Sequence, residues 1–235
     1  MKRKCVIISN EPNTPRIIFN LQMDKSTIRR IYQQTRNELT PSQVKSSSVK
    51  LANNFIKNLL PKIDNFSGQK LAFYVAANNE VDPTPIIKHC QKLGNIISLP
   101  KIVDNSLVLD FKEYKIGDTL INNPIFSKLL EPQEQKYSIV PDIIFVPLIA
   151  FDKNCNRVGM GGGFYDATIN YFKCNQSPQI FIGLGYDWQN CQKIDVDKWD
   201  KSLDFIVSDG DIFRFVETCK ISPEYIINKI NTATL

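Results

Sequence analysis

The sequence predicts one α/β domain built on a mainly parallel sheet with helices on both faces, a Rossmann-like three-layer arrangement. Three observations carry the expectation. Apolar runs of strand length alternate with longer segments of helical period. The run Ile143-Ile144-Phe145-Val146 is apolar without alternation, as a strand covered on both faces requires. A glycine-rich loop lies between that run and a helix, at the strand end where α/β sheets receive ligands.

Residues 1–22, which open Met-Lys-Arg-Lys, are read as a poorly ordered N-terminal extension, and residues 23–235 as the α/β domain. Asp24 or Ser26 caps a first helix whose apolar face is Ile28, Ile31, Tyr32 and Leu39. Thr40-Pro41-Ser42-Gln43 is a capping box with proline at the first helical position. Val44, Ser48, Leu51, Phe55 and Leu59 then form the stripe of a second helix that stops near Pro61. Lys70–Val75 reads as a strand, and Asp82-Pro83 starts a third helix that ends near Gly94. Strands follow at Ile96–Leu99 and Ser106–Phe111, then a polar connection from Gly117 to Pro141. After the glycine loop a helix begins near Phe164, and Ile180–Leu184 and Leu203–Val207 are the last two strands.

Composition narrows the function classes. A chain of 235 residues, 43% hydrophobic and 23% charged, fits one globular core. No apolar stretch approaches the ~20 residues that span a bilayer, so no membrane partner is expected. The net charge of +5 lies mostly in residues 1–22, where Lys2, Arg3, Lys4 and Arg16 face one acid, Glu11. The remainder carries 25 basic against 23 acidic groups, with no basic stripe interleaved with aromatics, so no nucleic-acid partner is expected. The six cysteines are scattered without metal-ligand spacing and read as reduced thiols of a cytoplasmic protein. A single histidine, His89, argues against histidine-rich metal sites. A monomer is expected.

The chemistry concentrates in Phe151–Asp166, where four of the ten glycines (Gly159, Gly161, Gly162, Gly163) fall within five positions. Such a loop lets backbone N–H groups approach an anion, and the helix N-terminus behind it adds partial positive charge. Arg157 can supply a fixed cation for phosphate, and Asp166 an oxygen ligand for magnesium. The loop matches neither a Walker sequence nor a clean dinucleotide fingerprint, so on glycine spacing alone a plain flexible turn stays open.

Arg-Val-Gly-Met-Gly-Gly-Gly-Phe-Tyr-Asp (157–166) resembles the R-L-G-x-G-x-G-Y-Y-D signature of the 5-formyltetrahydrofolate cyclo-ligase family. Lys25-Ser26-Thr27-Ile28-Arg29 is similar to the family's K-x-x-[LI]-R helix start, and Tyr74–Val81 to its strand-loop ending in a functional glutamate. Trp199-Asp200-Lys201-Ser202-Leu203-Asp204 resembles its H-D-x-x-[LM]-D block. The sequence departs from the pattern at Trp199 for histidine, Cys155 for glycine and Ala167 for arginine.

The resemblance implies an enzyme that uses ATP and magnesium to convert 5-formyltetrahydrofolate to 5,10-methenyltetrahydrofolate. ATP would be bound by Lys25, Ser26, Thr27, Ile28 and Arg29, together with Arg157, Val158, Gly159, Met160, Gly161, Gly162, Gly163, Phe164 and Tyr165. Arg157 and Tyr165 would be catalytic. Val75, Glu80 and the segment Met160–Phe164 would contact the folate, and Asp166 and Asp200 would hold magnesium. Such chemistry needs charge neutralisation and alignment more than an enzymic nucleophile, which suits a chain with one histidine. Taken alone, Lys25 and Arg29 are ordinary surface charges, Glu80 a loop residue and Asp200 part of an acidic surface run. A phosphotransferase for another small molecule, or a non-catalytic folate- or nucleotide-binding relative, are the competing readings.

Overall fold

The computed structural model describes residues 23–127, 129–175 and 178–215, so the expected N-terminal extension lies outside the described residues. Asp24 caps the first helix, α1 (Lys25–Asn37), by accepting from the Thr27 N–H at 2.7 Å. The Thr40/Gln43 capping box opens α2 (Pro41–Asn54) as the sequence predicts, and a π-type turn, Phe55–Leu59, carries that helix to Pro61.

Strand β1 (Lys70–Ala72) is followed by α3 (Thr84–Lys92), β2 (Ile96–Lys101) and β3 (Asp110–Glu113). Two short hairpins and the remaining strands complete the chain: β4 (Leu120–Asn122) with β5 (Leu130–Pro132), then β6 (Ile143–Pro147), then β7 (Ala150–Phe151) with β8 (Arg157–Val158). Helix α4 (Phe164–Cys174) leads to β9 (Ile180–Leu184), β10 (Phe205–Val207) and β11 (Ile212–Arg214). The main sheet runs β11-β10-β9-β6-β1-β2-β3. Its five inner strands are parallel, and β3 and β11 close the edges antiparallel.

Alternate side chains of the sheet feed two cores. Leu71, Phe73, Ile143, Phe145 and Ile182 pack with α1, α2 and α3, while Ala72, Ile144, Val146, Phe181 and Ile206 pack with α4. This gives the expected layers, helices on both faces of a mainly parallel sheet.

Besides β1 stopping at Ala72 rather than Val75 and the β7–β8 hairpin before the glycine loop, three features depart from the sequence expectation. The strand expected at 106–111 begins at Asp110, because the Ser106 hydroxyl accepts from the Val108 N–H at 3.0 Å and turns the chain before pairing starts. The polar connection 117–141 contains the β4–β5 hairpin, whose turn is set by Asn123 accepting from the N–H groups of Ile125 and Phe126 at 2.9 and 2.7 Å. The third is the added antiparallel edge strand β11.

Candidate active site

Strands β1 and β6 are neighbours, but the chain leaves β1 through α3 toward β2, while β6 lies on the other side of β1. That reversal opens a crevice at the carboxyl ends of the two strands, the usual ligand position in this architecture. The loop after β1 (residues 73–83) and the β7–β8 hairpin with its glycine loop after β6 meet there.

The hairpin is anchored from below by Asp152, which is fully buried. Its carboxylate accepts from the N–H groups of Asn154, Asn156 and Ile194 at 2.9–3.1 Å. Cys155 takes a left-handed φ of 59° in this turn, which accounts for glycine at that place in the family pattern. Arg157 then projects from β8 and donates from Nη2 to Asp166 Oδ1 at 2.8 Å. Gly161 (φ 100°) and Gly163 (φ 75°) bend the chain between them into α4, at conformations that L side chains rarely adopt.

Two cavities flank the glycine loop. One, of about 640 Å³, is the more polar of the two and is lined by the charged Lys25, Arg29, Arg157, Asp166, Asp197 and Asp200 among others. The other, of about 610 Å³, is mostly apolar and is lined by Val75, Glu80, Phe126, Leu148 and Tyr165. Arg157, Gly159, Gly161, Gly163 and Asp166 belong to both walls. The loop is therefore a partition thin enough to face each side.

On the polar side, Lys25 Nζ bridges Asp197 at 2.6 Å and Asp200. Burial alone would depress the Lys25 pKa, but these two hydrogen-bonded carboxylates outweigh it and hold the ammonium above its ordinary value. Arg29, one turn along α1, donates from Nε to the Gly159 carbonyl at 2.8 Å and so fixes the helix to the loop. On the apolar side, the Glu80 carboxylate accepts from Ala77 N–H at 3.1 Å and faces Arg36 Nη1 at 3.4 Å. Burial raises the Glu80 pKa against the opposing pull of Arg36 and that N–H. Burial also pushes the Tyr165 phenol well up, leaving it a neutral donor and acceptor.

Most of the sequence-expected residues meet here. The four-residue spacing brings Lys25 and Arg29 to one cavity, whereas Ser26 and Thr27 are engaged with Asp24 and Ile28 is buried in the core. Val158 is also a core side chain, while Met160 and Phe164 line the apolar cavity with Gly162. Asp200 and Asp166 share the polar cavity with Asp197 and the exposed Trp199. Two residues escaped the sequence reading. Asp197 was visible only as part of an acidic run, and Arg36 occupies the next position of the buried stripe Ile28, Tyr32, where a charge was itself a signal.

A sequence model described as the 5-formyltetrahydrofolate cyclo-ligase family matches residues 21–209. A 5-formyltetrahydrofolate cyclo-ligase of Escherichia coli K12 is 27% identical over 187 residues, covering 77% of this chain and 98% of the relative. One from Mycoplasma genitalium is 29% identical, covering 80% and 99%. Among solved structures, a 5,10-methenyltetrahydrofolate synthetase of Aquifex aeolicus superposes with a TM-score of 0.68 at 24% identity, covering 85% of this chain and 97% of that one. The family match spans the helix start at Lys25, the loop at Glu80, the glycine partition and Asp200, and the chain belongs to the 5-formyltetrahydrofolate cyclo-ligase family.

Proposed function

We propose that the chain converts 5-formyltetrahydrofolate to 5,10-methenyltetrahydrofolate, consuming ATP with magnesium and releasing ADP and phosphate. The observation that carries the reading is the shared wall: a polar and an apolar cavity separated by one glycine loop. A phosphate chain on one side and a pterin on the other would present the transferring phosphoryl group and the formyl oxygen across Arg157 and Gly159–Gly163.

The formyl oxygen is a poor leaving group. Transfer of the terminal phosphoryl group to it, with departure of ADP, makes an oxygen that can leave as phosphate. N10 then attacks the formyl carbon, loses its proton, and the carbon–oxygen bond breaks to release phosphate. The chain's contribution is alignment and charge. Lys25, Arg29 and Arg157 neutralise the phosphates, the N-terminus of α4 adds its partial charge, and Tyr165 offers a phenolic hydrogen bond near the reacting oxygen. Val75, Met160 and Phe164 give the pterin an apolar slot, and the Glu80 carboxylate accepts from its amino and ring N–H groups.

The polar cavity offers the carboxylate oxygens of Asp166, Asp197 and Asp200, the donors magnesium prefers, although no three His, Cys, Asp or Glu among the described residues stand close enough together to hold a metal ion by themselves. Two protein carboxylates with water and phosphate fit that ion. Asp166 and Asp200 would hold it, and when bound it would neutralise phosphate charge.

The test is a mixture of protein, ATP, magnesium and 5-formyltetrahydrofolate followed by methenyltetrahydrofolate absorbance. Product should form only when all four are present. ATP consumption without that product would favour a phosphotransferase acting on another molecule, and tight folate binding without turnover a non-catalytic binder.

A further inference from the structure

Arg36 is 2% exposed at the end of α1, in line with Ile28 and Tyr32 on the buried face. A guanidinium there loses hydration that only well-placed acceptors restore, and packing alone would favour an apolar residue. Its acceptors are sparse. Nη1 faces Glu80 Oε1 at 3.4 Å, Nη2 lies 3.9 Å from Met160 Sδ, and Nε has no hydrogen-bond partner among the described residues. Stability does not explain such a residue.

Its surroundings show what it holds. Glu80 is gripped at both oxygens, Oε1 by Arg36 and Oε2 by the Ala77 N–H. The turn before it places Asn78 and Asn79 at left-handed φ of 48° and 58°, a conformation that neighbours must stabilise. Asn79 Nδ2 donates to the carbonyls of Arg36 and Leu39 at 3.1 and 3.0 Å, and the Tyr186 hydroxyl donates to the Asn79 carbonyl at 2.8 Å. The clasp is reciprocal: the loop caps the end of α1, and α1 returns a cation to the loop.

We infer that Arg36 is a positioning residue for Glu80, fixing its carboxylate at the wall of the apolar cavity and tying it to the helix that carries Lys25 and Arg29. The inference rests on the proposed folate role of Glu80. Arg36 is too buried to touch substrate, so it acts through that carboxylate. Removing its two-pronged head frees the carboxylate to rotate and leaves it buried without its cation, which weakens pterin binding and spares ATP.

The experiment measures KM for 5-formyltetrahydrofolate and for ATP separately in Arg36→Met, Arg36→Lys, Glu80→Gln and the double variants, with melting temperatures alongside. Arg36→Met should raise the folate KM about tenfold, the size of one charge-assisted contact, with ATP almost unchanged. Arg36→Lys should lose less, and neither should add to Glu80→Gln, since both act through one group. If Arg36→Met does not fold, Arg36→Lys and its double with Glu80→Gln carry the same cycle. An effective Glu80→Gln beside silent Arg36 variants, or effects that simply add, overturns the inference alone. A silent Glu80→Gln overturns the folate role of Glu80 and the inference with it.

Discussion

Arg157 Nη2 donates to Asp166 Oδ1 at 2.8 Å, so the cation leaving β8 and the carboxylate in the first turn of α4 form one unit in the wall between the two cavities. The Arg157 side chain is 4% exposed and that of Asp166 29%, so the pair is anchored at the arginine and open at the carboxylate. That asymmetry separates their expected roles.

Arg157→Ala removes a buried donor whose head forms part of both walls. Losing a hydrogen bond to a charged group costs about 1.5–3 kcal/mol. ATP affinity measured by calorimetry should fall roughly tenfold to a hundredfold. Unchanged ATP affinity would remove Arg157 from the phosphate site.

Asp166→Asn keeps the volume and one acceptor but removes the charge that magnesium needs. Turnover should collapse at ordinary magnesium, and the concentration giving half-maximal rate should rise by about tenfold, the effect of losing one charged contact. A normal magnesium response would leave Asp166 as a partner of Arg157 only.

The glycines of the partition should fail in two different ways. Gly161→Ala has room, its nearest neighbour being Arg29 Nε at 3.7 Å, but φ is 100°. The strain should cost about 1–2 kcal/mol, read as a lower melting temperature together with lost turnover. Gly159→Ala carries no such strain, yet its Cβ would lie 2.7 Å from Arg157 Nη1 and must push the guanidinium aside. Here ATP KM should rise with a smaller change in melting temperature. Identical behaviour of the two variants would contradict the distinction.

Local signals in the sequence mark much of the candidate site. The Thr40/Gln43 box, the apolar run at Ile143 and the crowding of glycines each report a backbone requirement over a few residues, and each reappears in place. What stayed hidden depended on contacts distant in sequence. Lys25 and Asp200 lie 175 residues apart and, apart from the family resemblance, read separately as solvated charges; the fold makes them a pair. The β4–β5 hairpin lies inside the polar connection 117–141, whose short strands carry little apolar signal, although Asn122-Asn123-Pro124 is itself a turn signal. A charge on a helix is normally outside, and Arg36 breaks that rule by continuing the buried Ile28–Tyr32 stripe.

The last prediction uses the two tryptophans as opposed reporters. Trp188 is 7% exposed and stacked with Tyr32 and Tyr186, at centroid separations of 6.0 and 5.6 Å, in the core beneath α1. Trp199 is 68% exposed and stands at the rim of the polar cavity beside Asp200. A nucleotide whose phosphates reach Lys25 and Arg157 would carry its base to this rim, where a bare indole offers a stacking face. Stacking of one base on an aromatic ring contributes about 1–3 kcal/mol. Titration with ATP should therefore quench tryptophan emission, and Trp199→Phe should abolish most of the change, since Trp188 is shielded. Phenylalanine keeps a smaller face, so ATP affinity in that variant should fall only by about threefold, while Trp199→Ala should lose about tenfold or more. Quenching that survives Trp199→Phe would put the nucleotide away from this rim. Quenching by 5-formyltetrahydrofolate but not by ATP would mean that the two ligands occupy the cavities in the opposite order.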